Sequence, residues 1–303
     1  MNNRIFNCLL CLLLSIGMPA RAVKPIRALI VTGQNNHNWS VSHRVLKSIL
    51  ENTGRFVVSV AVSPGPGEDM SGFAPEFGAY DVVVLDYNGD RWPAATDSAF
   101  VRYLRGGGGL VVYHAANNAF AGWDEFNRIV ALGGWEGRDE RWGPYLYYEN
   151  GRWVCDRSAG PGGSHGEQRE YVMHGHAMSH PVTRGLPAEW LHATDELYDR
   201  MRGPANVGVM LYSAYADPSR GGSGREEPLV FTVDYHKARI FHLMLGHAGA
   251  SPEENPSMQC VGFQTLLSRG AEWAATGRVR QKVPACFPAA GESRRDETYG
   301  ARR

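Results

Sequence analysis

The chain has no surplus of charge of either sign: 31 Lys and Arg stand against 31 Asp and Glu. A nucleic-acid partner needs a basic stripe to neutralise phosphates, so that class is disfavoured. Long apolar runs are missing too. The run at the start, Cys8 to Met18, is about eleven residues, short of the roughly 20 that a membrane-spanning helix needs. No stable membrane insertion is expected. Cysteine is scarce, 5 in 303 residues, and the spacings fit no zinc motif. There is no P-loop and no Gly-x-Ser-x-Gly elbow. The glycine run Gly106 to Gly109 precedes an apolar run instead of following one, which excludes a dinucleotide loop. With 43% hydrophobic and 20% charged residues, the chain is an ordinary globular mixture.

The N-terminus carries the marks of a targeting segment. Arg4 precedes the apolar run, and Pro19-Ala20-Arg21-Ala22 supplies small residues in an A-x-A arrangement. Residues 1–22 therefore read as a secretory signal cleaved after Ala22, and the protein as periplasmic or secreted. Cys8 and Cys11 leave with it. Cys155, Cys260 and Cys286 remain, an odd number that allows at most one disulfide in an oxidising compartment. Cys260 and Cys286 flank the last helical segment and are the favoured pair.

Strand-like and helix-like segments alternate after the signal. Ile26 to Val31, Phe56 to Val62, Val82 to Leu85 and Leu110 to Tyr113 are apolar runs without alternation, as in strands buried on both faces. Between them, Ser40 to Asn52 and Thr96 to Arg105 space their apolar residues as helices do. The pattern predicts an α/β domain with a parallel sheet flanked by helices. Residues 133–173 read as inserted loops. Gly208 to Tyr212, Leu229 to Val233 and Arg239 to Leu245 read as further strands, and Gly262 to Thr276 as a last helix. The domain is assigned to 23–285. Residues 286–303 are expected to be a disordered tail, Arg-, Glu- and Ser-rich and without apolar anchors from Gly291 onward.

Open parallel sheets bind ligands beyond the carboxyl ends of their strands. Each such end here is polar: Gly33 to Trp39 after the first strand, Asp86 to Asp90 after the third, His114 to Phe120 after the fourth, Gly246-His247 after a late one. His114 sits at a strand-to-helix turn, where a side chain is expected to be held exposed at the sheet edge. An imidazole there can serve as acid, base or metal ligand, or can satisfy a buried carbonyl. A second cluster runs through His165, His174, His176, His180, Asp195, Glu196 and Tyr198. Asp195 reads as a helix N-cap, which leaves Glu196 as the freer carboxylate. His174 and His176 read as solvated loop residues, and Tyr198 is equally a packing residue or a site residue.

Several ordered motifs resemble the trehalose-utilisation (ThuA-like) domain family. They are Val112-Tyr113-His114-Ala115-Ala116-Asn117-Asn118-Ala119-Phe120, Leu132-Gly133-Gly134-Trp135, Gly163-Ser164-His165-Gly166, His180 to Pro187, Asp195-Glu196-Leu197-Tyr198 and Leu245-Gly246-His247. The likeness spans roughly Ile26 to Val279. It implies a flavodoxin-like fold similar to class I glutamine amidotransferases, with His114 where those enzymes carry a nucleophilic cysteine. Glutamine amidotransferase activity is therefore not expected. One departure is Ala248, where relatives usually have an acid after the His. The resemblance also implies sugar metabolism, on glycosides oxidised to 3-keto sugars. In that setting His114 is the candidate base, with Glu196 or His165 as acid. His37, Asn117, Asn118 and His247 would bind hydroxyls or the enolate oxygen, and Trp39, Trp135 and Tyr198 would stack on the sugar. No cofactor is required, though a divalent metal on the His-rich site fits the same residues. A non-catalytic sugar-binding protein is the alternative. Substrate linkage and oligomeric state are not legible.

Overall fold

A computed structural model describes residues 24–251 and 255–301. The signal-like segment 1–22 lies outside the described residues. Five strands form the parallel half of the sheet: β1 (Ile26–Thr32), β2 (Phe56–Val62), β3 (Val82–Leu85), β4 (Gly109–Tyr113) and, much later in the chain, β13 (Arg239–Leu243). Their order is β2-β1-β3-β4-β13, the 2-1-3-4-5 arrangement of flavodoxin-like folds. The register runs Ile26 opposite Phe56, Ala28 opposite Val82, Val82 opposite Gly109 and Arg239 opposite Gly109. These strands are continuous apolar runs because helices cover both faces.

The wholly parallel sheet expected from the strand-helix alternation is only half of what is seen. β12 (Glu226–Val233) joins β13 in antiparallel fashion, and β11 (Val207–Tyr215), β8 (Arg169–Gly175) and β9 (Glu189–Asp195) continue outward. The stretch read as inserted loops also holds a hairpin of β5 (Tyr145–Glu149) and β6 (Arg152–Asp156), and a two-residue pair, β7 (Ser164–His165) with β10 (Tyr198–Asp199).

The helices are α1 (Trp39–Asn52), α2 (Ala94–Arg105), α3 (Asp124–Val130), α4 (Pro256–Gln259) and α5 (Val261–Thr276). α1 buries Val45, Leu46, Ile49 and Leu50 on one face, each contributing about 1.5–3 kcal/mol of transfer free energy. α2 carries Asp97 in its first turn and Arg102 and Arg105 in its last, which complements the helix dipole. α5 packs against β4 and β13 and ends at Gly277, whose φ of +71° is left-handed. Among the described residues no helix is long and apolar enough to cross a membrane.

Two expectations are corrected. Cys155, Cys260 and Cys286 are all free, Cys260 buried and the other two exposed, so the favoured disulfide is absent. The segment 286–301 is laid against the domain. Phe287 packs on Trp190 with ring centroids 5.4 Å apart, Leu191 donates to the Ala289 carbonyl at 2.8 Å, and Asp296 donates to that of Gln259 at 2.7 Å. A polar sequence can be held by backbone hydrogen bonds that composition does not reveal.

Candidate active site

The carboxyl ends of β1, β3, β4 and β13 share one rim. Asp86, just past β3, is buried and gathers the β1 side of it. Thr32 and Ser42 donate to its Oδ2 at 3.2 and 2.6 Å, and Asn35 to its Oδ1 at 3.3 Å. Asn35 in turn accepts the backbone N–H of His37 at 3.0 Å. Asn36 donates its backbone N–H to Asn88 at 3.1 Å. The loop carrying His37 is thereby pinned at the topological switch point between β1 and β3.

His114 has a φ of +44°, a left-handed, strained backbone at the strand-to-helix turn. It is 1% exposed, which corrects the expected exposure. Its Nδ1 lies 2.7 Å from the Met244 carbonyl oxygen. A carbonyl only accepts, so Nδ1 carries the proton and Nε2 faces the site. Nε2 is 3.1 Å from the Tyr198 hydroxyl and 3.5 Å from Glu196 Oε2.

Asp195 is not a helix N-cap. It ends β9, buried, and accepts four hydrogen bonds: from His192 Nε2 at 2.8 Å and from the backbone N–H groups of Glu196, Gly246 and His247 at 2.8, 2.7 and 3.0 Å. This clasp joins the end of β9 to the loop leaving β13 and sets His247 against Glu196, Nδ1 to Oε1 at 3.1 Å.

Glu196 is the centre of the arrangement. Besides His114 and His247, His37 Nε2 lies 3.9 Å and His165 Nε2 3.6 Å from its oxygens. Burial disfavours its charge, but hydrogen bonds and charge from His114 and His247 outweigh that and hold the carboxyl well below the usual range. His37 moves the other way. Burial first, then the neighbouring His114 and His247, push it down to about 3 against the pull of Glu196. His165 differs in standing at the mouth, 37% exposed along its side chain. The pairing of β7 with β10 sets it opposite Tyr198, and its Nδ1 donates to the Gly166 carbonyl at 2.8 Å.

These groups open onto a cavity of about 550 Å³ that includes His37, His165, Glu196, Tyr198, Trp135 and Asn118 in its wall. Trp135 meets Tyr198 edge-on at 4.7 Å. A second cleft of about 520 Å³ shares Asn88, Gly89, Asn118 and Glu136 with it. Positive φ values gather here: Phe120 +51°, Trp135 +55° and Glu136 +48° join His114. Backbone strain of this kind concentrates where function holds it.

Two predicted site residues are elsewhere. Asn117 is fully buried and donates Nδ2 to His242 Nε2 at 3.0 Å. Trp39 sits on α1 against His43, centroids 5.8 Å apart, outside the cavity wall. His174 and His176 are also remote, bound to Glu226 and Ser213. Glu136 and Asn36 were not singled out beforehand. The Gly-Gly-Trp-Glu run could have pointed to Glu136, since a charged residue follows an aromatic one in a glycine turn.

A 2-1-3-4-5 parallel sheet with a polar, histidine-rich pocket at its switch point defines a flavodoxin-like α/β protein with a candidate ligand site. The ThuA family model, described as trehalose utilisation, matches residues 27–274, and the chain belongs to that family. A crystal structure of a ThuA-like protein from Parabacteroides merdae is similar at 63% identity with a TM-score of 0.90, over 91% of this chain and 99% of that one. Another ThuA-like protein, from Bacteroides uniformis, shares the fold at 20% identity and a TM-score of 0.54, over 87% and 97%. No curated protein matches.

Proposed function

We propose that the protein is an exported carbohydrate enzyme that acts on oxidised, 3-keto glycosides by removing a proton next to the ketone. The observation that carries this reading is one buried carboxylate, Glu196, within 3.1–3.9 Å of four imidazoles on the wall of a polar cavity. Such a set can hold and move protons near neutral pH.

A ketone at C3 acidifies the C2 proton. His165, the exposed imidazole, takes that proton through Nε2, and Glu196 stabilises the imidazolium that forms. The electron pair left on C2 is delocalised onto the C3 oxygen, where the Tyr198 hydroxyl and His37 donate charge stabilisation. The enolate then collapses: C1=C2 forms, the C1–O glycosidic bond breaks, and His165 returns the proton to the departing oxygen. His114 is too enclosed to meet a sugar and acts by orienting Tyr198 and Glu196. Trp135 supplies an apolar face for the ring. The adjoining second cleft has room for the other half of a glycoside.

The test is incubation with a panel of 3-keto glycosides in deuterated solvent, followed by mass spectrometry. Release of the aglycone and of an unsaturated keto sugar that keeps no hydrogen at C2, both lost in His165→Ala, would support the reading. Tight binding of intact glycosides with neither change would leave a binding protein in its place.

A further inference from the structure

We infer that His37, His114, Glu196 and His247 form a binding site for one divalent first-row transition metal ion, with zinc or cobalt as the reference ions. The inference concerns the same pocket as the proposed reaction and does not depend on which sugar, if any, is turned over.

The donor atoms of these four residues all lie within 4.8 Å of one another. Donors held about 2.0–2.2 Å from a common tetrahedral ion are roughly 3.3–3.6 Å apart. His247 Nδ1 lies 3.1 Å from Glu196 Oε1, and His114 Nε2 and His37 Nε2 lie 3.5 and 3.9 Å from Oε2 of the same carboxylate. The rings are crowded around this point, with centroids 4.6 Å apart for His37 and His114, 4.6 Å for His37 and His247, and 5.9 Å for His114 and His247.

The chemistry of the set also points to a metal. Imidazole nitrogens of three histidines converge on one carboxylate, and a divalent cation satisfies all four donors at once. Imidazole nitrogen with a single carboxylate oxygen suits zinc, iron, cobalt or nickel better than calcium or magnesium. A ligating histidine usually gives its other ring N–H to a carbonyl or carboxylate, which fixes the tautomer. His114 does this to the Met244 carbonyl. His247 is held through its backbone N–H by Asp195. The four ligands come from the ends of three parallel strands and one antiparallel strand, so the fold builds the site before any ion arrives. An ion here would face the cavity beside Tyr198, where it could polarise adjacent carbonyl and hydroxyl oxygens of a substrate.

The experiment uses the full mature chain carrying Cys155→Ser and Cys286→Ser, which removes the exposed thiols as competing ligands. After chelator treatment and buffer exchange, Zn²⁺ or Co²⁺ alone is titrated and bound metal is counted by elemental analysis. One equivalent per chain is expected. Its Co²⁺ spectrum should carry the visible bands of four- or five-coordinate cobalt without thiolate charge transfer. Glu196→Gln and His247→Ala should each weaken binding by about 100-fold or more, while His174→Ala leaves it unchanged. Binding well below one equivalent, or a cobalt spectrum of the hydrated ion, would overturn the inference in the unsubstituted site, whatever the folding of the variants. Full binding in folded Glu196→Gln would do so too. A metal-loaded protein inert on every keto-glycoside would sink only the proposed reaction.

Discussion

The Nδ1–H of His114 donates to the carbonyl oxygen of Met244 at 2.7 Å, and this bond decides which imidazole nitrogen faces the cavity. Both readings open for a histidine at this turn therefore hold together: one nitrogen satisfies a buried carbonyl, the other belongs to the site. The backbone is held at a φ of +44° to allow it. Removing the side chain leaves the Met244 carbonyl without its donor, at a cost of about 1–3 kcal/mol. The strain adds a contrast between variants. Alanine at positive φ is disfavoured relative to glycine by about 1 kcal/mol. His114→Gly should thus be more stable than His114→Ala by about that much, the reverse of the usual order, in urea titrations of both. Equal stability would mean that the turn relaxes when the imidazole goes.

Asn117 stands next to the cavity in sequence but serves the core. It donates to His242 Nε2, while His242 Nδ1 donates to the Val130 carbonyl at 2.8 Å. Burial keeps His242 neutral by pushing it down to about 3, so its Nε2 can only accept. Asn117→Ala leaves that acceptor unpaired and should cost about 1–3 kcal/mol in stability. KM for any substrate should stay within a few-fold. Asn118→Ala, in the cavity wall, should do the opposite, raising KM with little change in the denaturation midpoint. A large KM effect at 117 alone would return that residue to the site.

The parallel strands were legible because nothing in Val82 to Leu85 or Leu110 to Tyr113 interrupts an apolar run, which only a doubly covered strand tolerates. The rim followed from them: His37, His114 and His247 each lie just past a strand end. The β5–β6 hairpin was missed although its turn is spelled out. Asn150 and Gly151, with φ of +51° and +80°, are a hairpin dipeptide between aromatic-rich arms, but the surrounding Gly, Arg and Trp masked the alternation. Asn117 could not be read from its neighbours. Its partner His242 is 125 positions away, and only the pairing of β4 with β13 brings the two together. Asp195 was misread for the same reason. A cap and a clasp use the same residue type, and the donors from Gly246 and His247 arrive from across the fold.

Glu227 gives the protein a predictable response to alkali. It is fully buried, and Ser223 donates to it at 2.5 Å and Tyr145 through its hydroxyl. Burial pushes its carboxyl up to about 8, more than those hydrogen bonds pull it down. The folded protein therefore keeps a proton that the unfolded chain has released above about pH 4.5. Stability contributed by the neutral acid is complete below that value and is lost as pH rises toward 8. The loss amounts to roughly 5 kcal/mol for this group. Glu227→Gln removes the titration and should flatten the decline, so that the variant is the more stable protein at pH 9. Urea midpoints from pH 6 to 9 that fall in parallel for both proteins would show that the group is ionised in the fold.

Gly246 is the joint on which His247 turns. Its φ is +104°, and its N–H is held by Asp195. A methyl group there would lie 2.5 Å from the Phe263 ring and 2.8 Å from that of Tyr113, both buried beneath the rim. Gly246→Ala combines backbone strain with overpacking, about 2–5 kcal/mol together. The chain can relieve this only by moving the loop outward. That displaces His247 from Glu196 and should lower metal binding and turnover along with stability. Gly122→Ala is the matching control: nothing lies within 4 Å of its added methyl, so its melting temperature should hold. If both alanine variants melt together, the rigid seat assigned to His247 does not exist.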